Sequence, residues 1–489
     1  MKKLEQLNFD NTFARLSAVF YSRLDPVPLP NPYLVTFNPN AAALIDLDEN
    51  EALRPEFAQY FIGNRLLPGS EPLAMLYAGH QFGQFVQQLG DGRAILLGEI
   101  RNSAGEHWDV QIKGAGQTPY SRHGDGRAVL RSSIREYLCS EAMHGLGIPT
   151  TRALCITGSD EKIYRETIET AAVVTRLAPS HVRFGSFEVF YYRGQNEPIA
   201  VLADYVIARH FPHLSALPDK YARFLHEVVV RTAQLIAQWQ AVGFSHGVMN
   251  TDNMSILGLT FDYGPFGFME TYDPGYICNH SDDAGRYAYN QQPQVGQWNL
   301  AALAQALTPL IPTEEAQTIL AGYGSIFSEH YVELMCRKLG LSYRGLKDFE
   351  LIAPLLQMMR VSELDYTNLF RSLSQFKSAL GEMSSELRDQ FIDRAAFDAW
   401  AANYRARLLG EAVPDAERKQ RMDKVNPKYI LRNYLAQIAI SRAEQERDFS
   451  EIDRLQNLFS RPYDEQPEME RYAALAPDWA RKLEVSCSS

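Results

Sequence analysis

The hydrophobic rhythm of the chain changes twice. Residues 1 to about 70 mix short helical and loop signals with prolines at 26, 28, 30, 32, 55 and 68, a composition that suits an extension wrapped on a core. Three β-rich runs follow: Phe85-Val-Gln-Gln-Leu-Gly, Ala94-Ile-Leu-Leu-Gly-Glu-Ile and Trp108-Asp-Val-Gln-Ile-Lys113. Gly-Asp-Gly and Asn-Ser-Ala-Gly turns separate them, which predicts an antiparallel sheet. The period of two puts Trp108, Val110 and Ile112 on one face and Lys113 on the other. A helix is expected over about 132–145. Beyond about 206, apolar residues recur at three-to-four spacing in 222–242, 300–307, 319–339 and 428–445, the period of helices. The pattern divides the chain into an extension (1–70), a β-rich unit (71–200), a helical unit (201–480) and a short polar tail (481–489). Residues 188–208 read as the hinge, and no fixed-period repeat or low-complexity tract stands out.

Composition narrows the partners. A chain of 489 residues that is 46% apolar can bury a large core. Lys and Arg number 48 against 59 Asp and Glu, a net charge of −11, which argues against general binding to nucleic acid or anionic membrane and leaves any phosphate site to local cations. Met1-Lys2-Lys3 leads into Leu-Glu-Gln-Leu rather than an apolar leader, and no apolar run reaches the ~20 residues of a membrane span, so a cytoplasmic protein is expected. Cysteines at 139, 155, 278, 336 and 487 show no Cys-x-x-Cys spacing, so neither a zinc site nor a disulfide framework is supported. At most one regulatory pair is plausible. Cys487 sits in a small polar tail and Cys278 is the best-placed partner, against the alternative of a buried thiol and a frayed end.

The helical unit carries a motif similar to the protein-kinase catalytic loop. That loop, His-Arg-Asp-x-x-x-x-Asn, has its base two residues after the His and a metal-ligating Asn seven after it. In His246-Gly-Val-Met-Asn-Thr-Asp-Asn253 the Asn is kept, the base position is Val248, and Asp262 in Phe261-Asp-Tyr-Gly264 stands where a second metal ligand belongs. The fold class expected is therefore α+β, a kinase-like bilobal arrangement with a small β-rich lobe, a larger helical lobe and terminal extensions. Lys113 resembles the kinase strand lysine and Glu136 its ion-pair partner, although Ser133-x-x-Glu136 also reads as a helix capping box. Gly90-Asp-Gly-Arg93 and Gly124-Asp-Gly-Arg127 are turns whose backbone N–H groups can approach phosphate or simply join strands. Arg176 and Arg183 flank Leu-Ala-Pro-Ser-His-Val, where each also reads as a surface arginine.

Tyr77-Ala-Gly-His-Gln-Phe-Gly83, Gln88-Leu-Gly-Asp-Gly-Arg-Ala94, Gln111-Ile-Lys-Gly-Ala-Gly-Gln-Thr-Pro-Tyr-Ser-Arg122 and the 246–253 loop together resemble the selenoprotein O family of kinase-like protein adenylyltransferases. The likeness runs from Phe9 to the tail, where Cys487 occupies the selenocysteine position of animal relatives, as in bacterial members. It implies AMP transfer from ATP, bound flipped relative to a kinase, to Ser, Thr or Tyr hydroxyls of proteins, the chain itself included, with pyrophosphate leaving. It also implies Asp252 as proton acceptor, Asn253 and Asp262 as ligands of Mg²⁺ or Mn²⁺, and Lys113, Arg176 and Arg183 as the phosphate pocket. Gly90, Gly92, Arg93, Asp125, Gly126 and Asp262 are implied as nucleotide contacts, and UMP transfer from UTP is a further possibility. Two alternatives stand beside it: a γ-phosphate kinase with Asp252 as a displaced base, which Val248 disfavours, and a non-catalytic nucleotide-binding scaffold, which the retained metal ligands disfavour.

Overall fold

The computed structural model describes residues 1–379 and 385–485. Its first part is rich in strands: β1 (Tyr21–Arg23), β2 (Tyr33–Phe37), β3 (Leu73–Met75), β4 (Gly79–Gln81), β5 (Gln84–Val86), β6 (Ala94–Arg101), β7 (His107–Lys113), β8 (Ala128–Val129), β9 (Arg152–Tyr164) and β10 (Ile168–Ala178). One eight-stranded sheet has the order β1-β3-β6-β7-β10-β9-β2, with β8 beside β10, and every pairing is antiparallel. β4 and β5 form a separate hairpin. The expected β6 and β7 pair in register from Ala94↔Lys113 to Arg101↔His107. The run beginning at Phe85 does not join them, because only Gln84–Val86 is strand and the chain then turns into the glycine-rich loop.

The alternation read in β7 has a visible cause. Val110 and Ile112 enter a core with Leu4, Phe57, Phe61 and Leu67, so residues 1–67 cover that face, while Gln111 and Lys113 point to the other. The extension also supplies both edge strands, β1 and β2. Beyond α1 (Pro39–Ala43) and α2 (Pro55–Phe61), α3 (Leu130–Gly145) begins two residues before the expected start and packs Ile134, Leu138 and Met143 against the apolar side of β9 and β10.

The remainder is helical. Residues 188–208, expected as a hinge, fold instead as parts of α4 (Gly185–Tyr192) and α5 (Asn196–His210), whose Phe187, Leu202 and Val206 are buried. α6 (Lys220–Val242) follows its apolar stripe and stops at Gly243, which takes the left-handed conformation (φ +73°) that glycine adopts without a Cβ penalty. α7 spans Gln292–Ala306, and the 319–339 run is divided at Gly322 into helices Thr313–Ala321 and Tyr323–Lys338. Two short strands, β11 (Phe244–Ser245) and β12 (Gly267–Phe268), pair to close the loop that carries the 246–264 motifs. Among the described residues no helix is long and apolar enough to cross a membrane.

Candidate active site

Gly90, Gly92, Arg93, Lys113, Asp125, Gly126, Arg176, Asp252, Asn253 and Asp262 line a single cleft of about 770 Å³. Arg183 and Glu136 stand behind its wall and bond to residues that face it.

The cleft floor is built by strand register. Arg176 of β10 lies opposite Gln111 of β7, so both share a face with Lys113. Lys113 Nζ meets Glu136 Oε2 at 2.6 Å, and Arg176 Nη1 donates to Glu136 Oε1 (2.8 Å) and Asp262 Oδ1 (2.5 Å). The other nitrogen of the Arg176 fork donates to Gln111. Arg183 donates to Asp262 Oδ2 (2.5 Å) and to the Asp252 carbonyl (2.7 Å), and its guanidinium lies over the rings of Tyr77 and Phe261 at 4.3 and 4.6 Å. Burial opposes ionisation of Asp262, but Arg183, Arg176 and Lys113 outweigh it and hold the carboxyl well below its usual range. Glu136 is lowered in the same way, burial being outweighed by Lys113 and Arg176. Burial also draws the Lys113 ammonium down, with Glu136 opposing.

The capping box at Ser133 does not form. α3 starts at Leu130 behind Val129, the Ser133 hydroxyl is buried without a partner, and Glu136 in the second turn is committed to the two cations.

Asp252 and Asn253 sit in a single 3₁₀ turn, Thr251–Asn253. The β4–β5 hairpin holds this loop residue by residue. Phe82 N–H donates to Asn250 Oδ1 (3.3 Å), His80 N–H to Thr251 Oγ1 (2.7 Å), and Gln81 Nε2 to Asp252 Oδ2 (3.2 Å). The closeness demands glycine at 79, where a Cβ would stand 2.9 Å from Asp252 Oδ1. That oxygen is buried and has no partner among the described residues. Burial raises the Asp252 carboxyl to about 7, with Gln81 and Arg183 pulling the other way. Val248 also lines the cleft, and its carbonyl accepts from Asn253 Nδ2 (2.9 Å), which fixes the amide and leaves Oδ1 as its free oxygen.

The donor set fits a hard divalent cation. Asn253 Oδ1 and the Asp262 carboxylate are oxygen donors of the kind such a cation takes, although both Asp262 oxygens accept from Arg176 and Arg183 in this structure, and no group of three or more His, Cys, Asp or Glu able to hold a metal exists among the described residues. Two protein oxygens completed by phosphate and water are typical of Mg²⁺ bound with a nucleotide.

The glycine turns are explained by close approach. Gly90 has φ +78° and a Cβ there would meet the Tyr120 ring at 2.5 Å; Gly126 has φ +70° and would meet the Gly116 backbone at 2.1 Å. Asp125 is held by Arg165 at the tip of the β9–β10 hairpin through two bonds of 2.8 and 2.9 Å, and accepts from Arg127 N–H. Cys278 is buried against Ser245, and burial pushes its thiol up to about 12. Two residues on, His280 N–H donates to the Val485 carbonyl (2.9 Å), which docks the described end of the tail beside it. Cys487 lies outside the described residues.

Tyr77, Gln81 and Gln111 lie within the family-like motifs without a role of their own being read, and Arg165 lies outside them. Gln111 alternates with Val110 and Ile112, so its strand face was legible, but nothing in the spacing ties the other three to the site.

The chain matches the family model for protein adenylyltransferase SelO over residues 3–460. Relatives named protein nucleotidyltransferase YdiU align over their whole length and the whole of this chain: 61% identical in Thiobacillus denitrificans, 58% in Myxococcus xanthus and 57% in Thioalkalivibrio sulfidiphilus. This chain belongs to the SelO family of protein adenylyltransferases.

Proposed function

We propose that the cleft transfers AMP from ATP to Ser, Thr or Tyr hydroxyls of proteins, this chain among them, and releases pyrophosphate. One observation carries the reading: the cleft separates its charges. Lys113, Arg176 and Arg183 gather around Glu136 and Asp262 with Arg93 nearby, whereas among the described residues the Asp252 carboxylate is in no ion pair and accepts from a single other side chain, Gln81. The cationic side suits the β- and γ-phosphates, since guanidinium forks bind phosphate oxygens bidentately, and this orientation is flipped relative to a kinase. Gly90, Gly92, Arg93, Asp125 and Gly126 border the rest of the nucleotide.

Asp252 accepts the proton of the attacking hydroxyl. The hydroxyl oxygen bonds to the α-phosphorus, and the bond to the bridging oxygen breaks, its electron pair leaving with pyrophosphate. Asn253 and Asp262 hold Mg²⁺ or Mn²⁺, which supplies charge neutralisation on the triphosphate when bound. UTP presents the same triphosphate, so UMP transfer uses the same groups. A γ-phosphate kinase is disfavoured because the kinase base position holds the apolar Val248.

The reading extends to a bilobal kinase-like arrangement, with residues 71–200 and 201–480 as the two lobes and 1–70 packed on the first. It further includes cytoplasmic location, no nucleic-acid partner and a redox pair between Cys278 and Cys487. The test is labelling of protein with ATP marked on the α- or the γ-phosphate, with Asp252→Ala and Asp262→Asn as controls. Protein-bound α-label that both variants lose is expected; label from the γ-phosphate alone would overturn the reading.

A further inference from the structure

The β4–β5 hairpin has two sides. Its inner side holds the Asn250–Asp252 loop, as described above. Its outer side carries three part-exposed rings, Phe82, Trp298 and Tyr192, linked through buried Tyr287 and His80 and through Arg286 into a path that begins at the lip of the cleft. Phe82 lines the cleft, is 39% exposed, and packs on Tyr287 at 5.1 Å between ring centroids. Arg286 lies over Trp298 at 4.9 Å, and Trp298 meets the His80 ring edge-on at 5.1 Å. His80 packs on Phe85, and Phe85 on Tyr192, at 5.1 and 3.8 Å. Phe82, Trp298 and Tyr192 are part-exposed and face solvent, Trp298 at 38% and Tyr192 at 43%, whereas Tyr287 and His80, which link them, are buried. The hairpin is held rigid from below, where His80 Nδ1 lies 2.6 Å from Glu188 Oε2.

We infer that this path is the docking surface for the acceptor protein, receiving the extended segment on either side of the hydroxyl that is modified. The inference rests on Asp252 being the proton acceptor. The acceptor oxygen must come within hydrogen-bond reach of Asp252. Gln81 bonds that carboxylate, and the next residue, Phe82, starts the aromatic path, so the segment leaving the acceptor hydroxyl meets the path at once. An extended chain advances about 3.3 Å per residue, so the few residues flanking the acceptor cover Phe82 to Trp298. The composition suits a protein partner: Trp, Tyr and Arg dominate the energetics of protein interfaces, and solvent-facing aromatic patches mark binding surfaces. With the triphosphate assigned to the cations around Asp262, the Gln81–Phe82 side of Asp252 is assigned to the acceptor. The surface therefore selects apolar or aromatic residues next to the modified Ser, Thr or Tyr.

The test uses the full chain, α-labelled ATP and a peptide pool in which one Ser, Thr or Tyr is flanked by random residues. Wild type is expected to favour apolar and aromatic flanks. Trp298→Ala and Tyr192→Ala are expected to raise KM for the preferred peptide about tenfold or more, with kcat, ATP affinity and thermal midpoint unchanged. An unchanged peptide KM, or flat flank selection, overturns the proposal. So does a wild type that labels folded proteins but no peptide, because an extended segment would then not suffice. A variant that alters oligomeric state and leaves KM unchanged assigns the rings to a contact between copies and also overturns it. Asp252→Ala run in parallel keeps the two readings apart: full transfer by that variant refutes the assignment of Asp252, whereas a normal peptide KM in Trp298→Ala refutes the docking surface alone.

Discussion

Gln81 and Asp252, 171 positions apart, are joined by a 3.2 Å hydrogen bond from the amide to the carboxylate that the proposed chemistry needs as a base. It is the one bond to that carboxylate from another side chain among the described residues, where the second carboxylate oxygen is buried without a partner. A group held by one bond loses its aim when the donor is removed. Misplacement by about 1 Å costs on the order of 10²-fold in rate.

Gln81→Leu is therefore expected to lower kcat for AMP transfer by roughly 10- to 100-fold. ATP affinity and thermal midpoint stay at wild-type values, because Gln81 touches neither the cationic floor nor a core cluster. Steady-state kinetics together with calorimetric nucleotide binding check this, and an unaltered kcat would show that the bond does not position the base.

The pH dependence follows from burial of Asp252. Its carboxyl, raised to about 7 in the unliganded protein, acts as a base only when ionised, so kcat/KM rises with pH through that value. Between pH 6 and pH 8 the ionised fraction grows roughly tenfold. A kcat/KM profile that is flat from pH 5.5 to 8.5 would remove Asp252 from the proton-transfer step.

Arg176 is a stability prediction as much as a functional one. It is 1% exposed and compensates Glu136, Asp262 and Gln111 together. Arg176→Met leaves buried carboxylates short of a cation, which costs on the order of 3–5 kcal/mol, readable from urea unfolding. Glu136 and Asp262 are held below their ordinary pKa values, so the stability they confer is present above about pH 4.5 and is lost as pH falls through the lower folded values. The variant is expected to lose part of that acid dependence. An Arg176→Met protein as stable as wild type would mean that Lys113 and Arg183 carry the cluster without it.

The tail gives a chemical prediction. His280 N–H bonds the Val485 carbonyl, two residues from each of the proposed partners Cys278 and Cys487. Incubation with oxidised glutathione, which accepts the two electrons and takes up the two thiol protons, is expected to yield a Cys278–Cys487 cross-linked peptide in non-reducing mapping. Recovery of both thiols free would leave Cys278 as a buried packing residue, as its pKa of about 12 alone suggests.

What was legible in the sequence is what a local rule governs. β7 alternates because one face meets the extension and the other the site, so the side of Lys113 was readable from period alone. β9 was not readable: residues Arg152–Ser159 are buried on both faces, which erases alternation. The pairing of Glu136 with Lys113 was readable from motif order, but the capping box was a false local match, because the helix began upstream at Leu130. Gln81 was illegible as a site residue. Its role arises from a three-residue strand whose partner loop lies about 170 positions away, and no spacing rule spans that distance.

The Arg165–Asp125 clamp differs from the cleft floor in one respect that matters in solution: its side chains are 19% and 44% exposed, while those of Arg176 and Glu136 are 1% and 3%. Exposed pairs contribute about 0–1 kcal/mol and fade as added salt shortens the Debye length toward ~3 Å at 1 M, whereas buried pairs are screened far less. Ionic strength thus acts at the rim, where the loop bearing Asp125 and Gly126 is tied down, and spares the interior. Added salt therefore loosens the tie on the Asp125–Gly126 loop before it reaches the pairs of the cleft floor.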